Sequence, residues 1–386
     1  MRIAVLTTGR QDYGILRSTL HLLEASKDFD LAVWAGGMHL SPRFGKSVDL
    51  IRADGIEPSR ELDFLSEPPD SVGDPARALT LVAAALREDR PDALMLVGDR
   101  SETLAAGMAA IIVGVPIVHL HGGEESQGAK DNLWRHALTK LSQLHLVSHA
   151  DHAARVLQMG EDPSTVIVVG APGLDNLYRT DLPTRSEIER ELGRTLRSPL
   201  VIVTVHPATA GGDPQAEVEA VASALERVDA THLITQPNDD EGSEVIRSFW
   251  TKWARGRENV ILVDALGEAR YWSLLREASA VVGNSSSGII EAPAAGVPVV
   301  NVGERQRGRM RYGRFADVPA DAEKIALALR NALKNGRQKN HDEGYIGGPA
   351  APRVVAALRD WHPPNTVGKF FVSAAEPVVA GRDSAR

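Results

Sequence analysis

A chain of 386 residues is longer than one hydrophobic core serves, and predicts two domains. Its 43% hydrophobic and 24% charged residues are those of a soluble globular protein, and a net charge of −8 argues against a nucleic-acid or anionic-membrane surface without excluding a local basic site for phosphate. There is no cysteine, hence no disulfide or thiolate chemistry; no apolar run has transmembrane length, and Met1 to Thr8 lacks the features of a signal peptide, so a cytoplasmic enzyme is the expected class.

Strand-like runs alternate with helical patterns along the chain. Ile3 to Leu6 leads to a helix near Leu16 to Ser26, and Asp30 to Trp34 passes through Gly37-Met38-His39 to a helix near Phe44 to Asp54. A helix over Ala76 to Arg87 precedes a strand over Ala93 to Val97, which ends at Gly98-Asp99-Arg100 before a helix starting near Glu102. Val115 to His119, Leu144 to Val147 and Thr165 to Val169 complete the first half. Continuous β-branched runs separated by helices imply a parallel sheet covered on both faces, and ligands of such sheets sit beyond the carboxyl ends of the strands. Gly9-Arg10, Gly98-Asp99-Arg100 and His119 to Glu124 all lie at such ends.

The densest chemistry lies between Val118 and His149. An apolar run ends in His119 and His121, a Gly122-Gly123 turn, Glu124 and Glu125. A helix follows, with Leu133, Ala137, Leu138 and Leu141 as its buried stripe. Asp131 and Arg135, four apart, share another face that packing does not require, and Asp131 or Asn132 can cap the helix start.

The strand pattern stops between Tyr178 and Pro199, where a polar segment reads as a linker with a short helix. It restarts with strands over Leu200 to Val205, His232 to Gln236, Val260 to Val263, Ala280 to Val282 and Val297 to Val302, with helices between them and a last one over Asp321 to Leu333. The expectation is two doubly wound α/β domains, 1–177 and 200–340, joined by a linker at 178–199, with a cleft between them. A tail, 341–386, carries one helix (Pro352 to Trp361) able to pack back, and looks weakly ordered from Pro363 on.

Val282 leads into Gly283-Asn284-Ser285-Ser286-Ser287-Gly288 and then Glu291. Small residues between a strand and a helix let backbone N–H groups and serine hydroxyls approach an anion, with the helix N-terminus adding partial positive charge; a capped turn alone would look similar. Arg10 offers a guanidinium for the same phosphate, and Arg305, Arg307 and Arg309 form a second basic run. His119, His121 and Glu124 match no usual zinc spacing, so neither metal nor cofactor is expected.

These segments resemble the UDP-N-acetylglucosamine 2-epimerases, in particular the hydrolysing branch. The matching residues are Gly9-Arg-Gln-Asp-Tyr-Gly14, Gly37-Met-His39, Gly98-Asp-Arg100, Gly122-Gly-Glu to Lys140, His206-Pro207, Pro237 to Gly242, Gly283 to Gly288, Glu291-Ala-Pro293 and Gly296-Val-Pro298, in the family's order over Met1 to Lys334. The resemblance implies a glycosyltransferase-B fold and a UDP-sugar substrate. Arg10, Ser285, Ser286, Ser287, Gly288 and Arg307 would hold the diphosphate and Glu291 the ribose, with His39, Arg135 and Asn238 among the binding residues. It further implies a homo-oligomer, dimer or tetramer.

The implied chemistry is loss of UDP from C1 and of the proton from C2, giving a 2-acetamidoglucal, then reprotonation of C2 from the other face. No carbonyl acidifies the C2 proton, so positive ring charge must be stabilised by carboxylates and the departing diphosphate by cations. Two faces need two proton-transfer groups. Asp99, Glu124, Asp131 and His206 match family positions, and either acid-base order is open. Many relatives carry glutamate where this chain has His121, which would be base itself or leave the task to Glu124. Free N-acetylmannosamine with UDP is the favoured outcome. UDP-N-acetylmannosamine, a transferase of the same fold and a non-catalytic UDP-sugar sensor are the alternatives.

Overall fold

The computed structural model describes residues 1–125, 131–207, 213–237, 242–338, 345 and 347–373. It divides into two compact units. One holds Met1–Glu124, Leu133–Pro172 and the chain from Ala350 on; the other holds Glu125–Asn132 and Gly173–Pro349.

The first unit runs β1 (Arg2–Thr7), α1 (Arg10–Glu24), β2 (Asp30–Gly36), α2 (Val48–Ala53), β3 (Arg60–Leu62), α3 (Gly73–Asp89), β4 (Ala93–Val97), α4 (Ser101–Val113), β5 (Ile117–Leu120), α5 (Asp131–Leu141, in this unit from Leu133), β6 (Leu144–Val147), α6 (Ala150–Gln158) and β7 (Val166–Val168). Its strands form one parallel sheet in the order β3-β2-β1-β4-β5-β6-β7. Alternation along β1 feeds two cores. Ile3 and Val5 face a cluster with Leu16, Leu20 and Leu23 of α1, while Ala4 and Leu6 face one with Trp34, Val82, Leu86 and Ala106. A sheet covered on both faces has no polar side to alternate with, which is why its strands read as unbroken apolar runs.

The second unit runs α7 (Arg185–Leu192), β8 (Leu200–Thr204), α8 (Pro214–Leu225), β9 (Thr231–Thr235), α9 (Ser243–Trp253), β10 (Val260–Val263), α10 (Glu268–Glu277), β11 (Ala280–Gly283), α11 (Glu291–Ala294), β12 (Val299–Val302), β13 (Phe315–Val318) and α12 (Ala322–Asn335). Six parallel strands order as β10-β9-β8-β11-β12-β13. The segment expected as a linker contains α7, closed at its start by a Thr184–Glu187 capping box and at its end by Gly193 at φ 62°. Ile188 of α7 and nearby Leu196 are buried with Leu200 and Trp272, so this segment adds to the core of the second unit.

In place of a continuous helix between β11 and β12 there is a 3₁₀ turn, Ser286–Gly288, and the four-residue α11. Pro293 has no N–H for the Ile289 carbonyl, so a helix begun at Gly288 would break there, whereas in α11 Pro293 falls in the first turn, where no such bond is needed. After the second unit, α13 (Ala351–Asp360) returns to the first and adds Val354, Val355 and Leu358 to the cluster under α1. The stretch from Pro363, expected to be weakly ordered, is described only as far as residue 373. Val367 to Val372 are held by hydrogen bonds to Gln143, Thr139, Ser142, Glu161 and Gly160. Among the described residues no helix is long and apolar enough to cross a membrane.

Candidate active site

Each sheet reverses its winding direction beside its first strand, at β1/β4 in the first unit and β8/β11 in the second. The crevice beyond the carboxyl ends at such a switch point is where open α/β sheets bind ligands. Gly9 and Arg10 follow β1, and Gly98-Asp99-Arg100 follow β4. His206 follows β8, and Asn284 to Ser287 follow β11. Most sequence-predicted residues therefore stand at one of the two switch points or on the strand next to it.

In the first unit, α5 fastens two strand ends together. Arg135 is only 2% exposed; one arm of its guanidinium pairs with Asp99 and the other donates to Glu124 O at 3.0 Å. Arg135 thus positions a carboxylate and a turn. His121, just past β5, stands at φ 64°, a left-handed conformation rare for a residue with a side chain. Its Nδ1 lies 2.7 Å from Glu124 Oε1, while its buried Nε2 has no hydrogen-bond partner among the described residues. Ser148 Oγ donates to the same Glu124 oxygen at 2.9 Å.

Two other histidines of this unit are structural. His119 Nε2 lies 3.1 Å from Gly98 O, and complete burial holds its pKa down to about 3, so it is a neutral donor tying β5 to the β4 end. His39, expected at the substrate, is fully buried, with Nε2 at 2.9 Å from Thr7 Oγ1 and Nδ1 at 2.8 Å from Ser47 Oγ. Both ring nitrogens are used, so the imidazole braces the Gly37–His39 turn. Burial, then the nearby Arg10 charge, lowers its pKa to about 4.

Arg10 itself is exposed at the N-terminus of α1, with its guanidinium against Gly45, and has no ion-pair partner among the described residues. An unneutralised cation at a helix N-terminus suits an anion. Asp131 opens α5 on the surface, one turn before Arg135.

In the second unit the two loops at the switch point are tied by Asn284. Its Oδ1 accepts from His206 N at 2.7 Å and its Nδ2 donates to His206 O at 2.8 Å. Its carbonyl accepts from Arg305 Nη1 at 3.1 Å and Gln306 Nε2 at 2.8 Å, which brings the basic run to the serine loop. Gly283 has φ 131° and packs directly on Thr204 O, leaving no room for a side chain. Ser285 Oγ caps the following turn through Ser287 N, and Ser287 Oγ is hydrogen-bonded to Tyr271 OH.

Burial, then the cations Arg305 and Arg247, holds His206 down to about 3, so its imidazole is neutral at pH 7. Tyr312 OH donates to Ile290 O, next to Glu291; burial, then the Glu291 charge, raises the pKa of Tyr271, and burial, then Tyr345 and Glu291, raises that of Tyr312. Arg307 is exposed and Gly288 buried; Asn238 lies outside the described residues. Sequence reasoning missed Ser148 and Tyr271, which have no motif signal; Arg305 was read as part of the basic run but not assigned a place at the site.

Two doubly wound α/β units, each with its polar residues beyond the strand ends, are the glycosyltransferase-B architecture. The model of the family "UDP-N-acetylglucosamine 2-epimerase" matches residues 21–359, and the chain belongs to that family. A UDP-N,N'-diacetylbacillosamine 2-epimerase (hydrolyzing) of Legionella pneumophila is 33% identical over 93% of this chain and 95% of its own. A GDP/UDP-N,N'-diacetylbacillosamine 2-epimerase (hydrolyzing) of Campylobacter jejuni is 30% identical over 82% of this chain and 84% of its own. The crystal structure of UDP-GlcNAc 2-epimerase from Neisseria meningitidis bound to UDP-GlcNAc superposes with a TM-score of 0.76 at 15% identity, covering 93% of this chain and 99% of that one.

Proposed function

We propose that the protein inverts C2 of a 2-acetamido UDP-sugar, UDP-N-acetylglucosamine in the first instance, and releases the product by hydrolysis. The observation that carries this is the His121–Glu124 pair. A carboxylate accepting at Nδ1 fixes the tautomer whose Nε2 lone pair is free, which is the arrangement of an oriented general base.

In the proposed reaction the C1–O bond breaks with its electron pair going to the β-phosphate of UDP. The C2–H pair becomes the C1=C2 bond of a 2-acetamidoglucal, and the proton goes to a protein base. A proton then adds to C2 from the opposite face, water adds at C1 and loses its own proton, and the free mannose-configured sugar leaves with UDP. His121 with Glu124 serves one face of C2 and Asp99 the other. Asp131 balances positive charge on the ring. Neutral His206 donates a hydrogen bond to the substrate. Arg10, Ser285 to Ser287 and Arg307 hold the diphosphate, and Glu291 accepts from the ribose hydroxyls.

Turnover of UDP-N-acetylglucosamine in deuterated, oxygen-18-labelled water tests this. Deuterium at C2 and labelled oxygen at C1 of free N-acetylmannosamine are expected. UDP-N-acetylmannosamine with deuterium but no labelled oxygen would remove hydrolysis and keep epimerisation, whereas no turnover at all would favour a sensor or a transferase. A second reading is favoured by the names of the Legionella and Campylobacter relatives, which makes a 2,4-diacetamido UDP-sugar the preferred substrate. Comparing kcat/KM for UDP-N,N'-diacetylbacillosamine and UDP-N-acetylglucosamine decides between them.

A further inference from the structure

The stretch after α13 carries a lysine whose ammonium group is spent on one place. Lys369 Nζ donates to Thr139 O at 3.2 Å, to Ser142 O at 2.7 Å and to Glu161 Oε2 at 2.5 Å. Thr139 is in the last turn of α5 and Ser142 lies just beyond its end, so Lys369 is a C-terminal cap supplied from 227 residues away. A cation there is favoured twice, by carbonyls left without intrahelical partners and by the negative end of the helix dipole.

The surroundings are built to receive it. Glu161 is 2% exposed and also takes Lys140 Nζ at 2.5 Å and His145 Nε2 at 3.1 Å. Gln143 Nε2 donates to Val367 O at 2.8 Å, and Val372 N donates to Gly160 O at 3.0 Å. Gly160 stands at φ 81° with the Phe371 ring packed where a side chain would be, and Lys140 Nζ lies 5.3 Å from the centre of that ring. Residues 367–372 thus form a strap across the end of α5 and the segment after α6.

The other turns of α5 carry the site. Arg135 holds Asp99 and Glu124 O, and Thr139 Oγ1 bonds back to Arg135 O at 3.0 Å and lies 3.4 Å from His119 Nδ1. A helix is stiff along its axis, so fixing its last turn fixes where Arg135 stands. We propose that Lys369 is a positioning residue for the reaction, and that the strap sets the seat of α5 and through it the Arg135–Asp99 pair. The strap itself touches no reacting atom. The inference rests on the assignment of Asp99 and Arg135 to the reacting site.

The test compares the full chain with Lys369→Met, Lys369→Arg and a chain ended after Pro363. None of the described residues removed is buried, so the truncated form keeps both cores. Expected for Lys369→Met and the truncation is a kcat about tenfold lower or more, the scale set by misplacing a reacting group by a fraction of an ångström to an ångström. KM for the UDP-sugar should stay within about twofold, because no diphosphate contact changes, and Lys369→Arg should recover most of kcat. Hydrogen exchange of the peptide spanning 133–141 should quicken in the first variant and the truncation, and recover in Lys369→Arg. Unchanged kcat with faster exchange would make the strap structural only, and unchanged exchange would overturn the proposal outright. A wild-type chain inactive on every UDP-sugar would overturn the functional reading instead, and the exchange comparison would still decide whether the strap seats α5.

Discussion

His121 Nδ1 and Glu124 Oε1 lie 2.7 Å apart across a Gly-Gly turn, and the backbone holds His121 left-handed at φ 64° to make that contact. A strained backbone at a strand end persists only where neighbours over-determine it. Here Glu124 is in turn fixed by Ser148 and, through its carbonyl, by Arg135. The expected outcome for His121→Asn, a residue that tolerates this conformation, is a fall in kcat of about a hundredfold or more with the fold intact. Glu124→Gln should lose a similar factor. Circular dichroism and steady-state kinetics check both, and wild-type turnover in His121→Asn would remove it as the base.

Asp99 and Arg135 should separate chemistry from stability. Asp99→Asn keeps a hydrogen-bonding group beside Arg135 and is expected to lower kcat by about two orders of magnitude with little change in urea midpoint. Arg135→Met leaves Asp99, whose side chain is 22% exposed, without its partner and should cost about 3 kcal/mol of stability, the low end for a broken buried pair. Equal midpoints for the two variants would contradict this division. Asp131→Asn and His206→Ala are likewise expected to lose about two orders of magnitude in kcat; full activity in Asp131→Asn would make that residue part of the helix start alone.

The diphosphate assignment is tested by calorimetry with UDP. Arg10→Ala should weaken UDP binding by about tenfold or more and leave N-acetylmannosamine binding unchanged, since a charge-assisted contact contributes about 1.5 kcal/mol or more. Gly283→Ala should abolish UDP binding, because a methyl group would collide with Thr204 O and push the serine loop off its strand. Equal UDP affinity in Arg10→Ala and wild type would place the phosphates elsewhere.

Stability should fall on the acid side of neutrality. His119 and His206 are held at about 3, and His39 and His152 at about 4, in each case chiefly by burial, against about 6.5 in an unfolded chain. Between pH 6.5 and 4 the unfolded chain takes up protons that the folded one refuses, so folding free energy is lost as pH drops, by at most about 1.4 kcal/mol per pH unit for each histidine. Raised carboxyl pKa values at Asp12 and Glu217, both from burial, act in the opposite sense and moderate the slope. Urea unfolding at pH 7, 5.5 and 4.5 measures it, and a flat profile would show these histidines to be accessible to protons.

The alternation of strands and helices was legible because buried parallel strands are continuous apolar runs. The strands that escaped were β3 and β13, both at sheet edges, three and four residues long and bearing Arg60, Glu61 or Asp317. Edges need no second apolar neighbour and tolerate charge. At the candidate site, Asp99 and the serine loop were legible as residues that follow strands, and His206 only through the family resemblance. That His39 would be consumed by Thr7 and Ser47 was not, because burial depends on partners far along the chain. Nor was the seat of Lys369, whose partners lie more than 200 residues away.

The return of α13 has a consequence for synthesis. Leu16, Leu20 and Leu23 of α1 share their core with Val354, Val355 and Leu358, so the part of the protein translated first is the part completed last. The inserted unit, whose strands are contiguous from β8 to β13, has all its sheet available once Val318 has emerged, while one face of α1 waits for about forty residues more. A nascent chain released early would therefore expose an apolar stripe at its beginning rather than at its end, and that stripe is where a ribosome-associated chaperone would be expected to dwell.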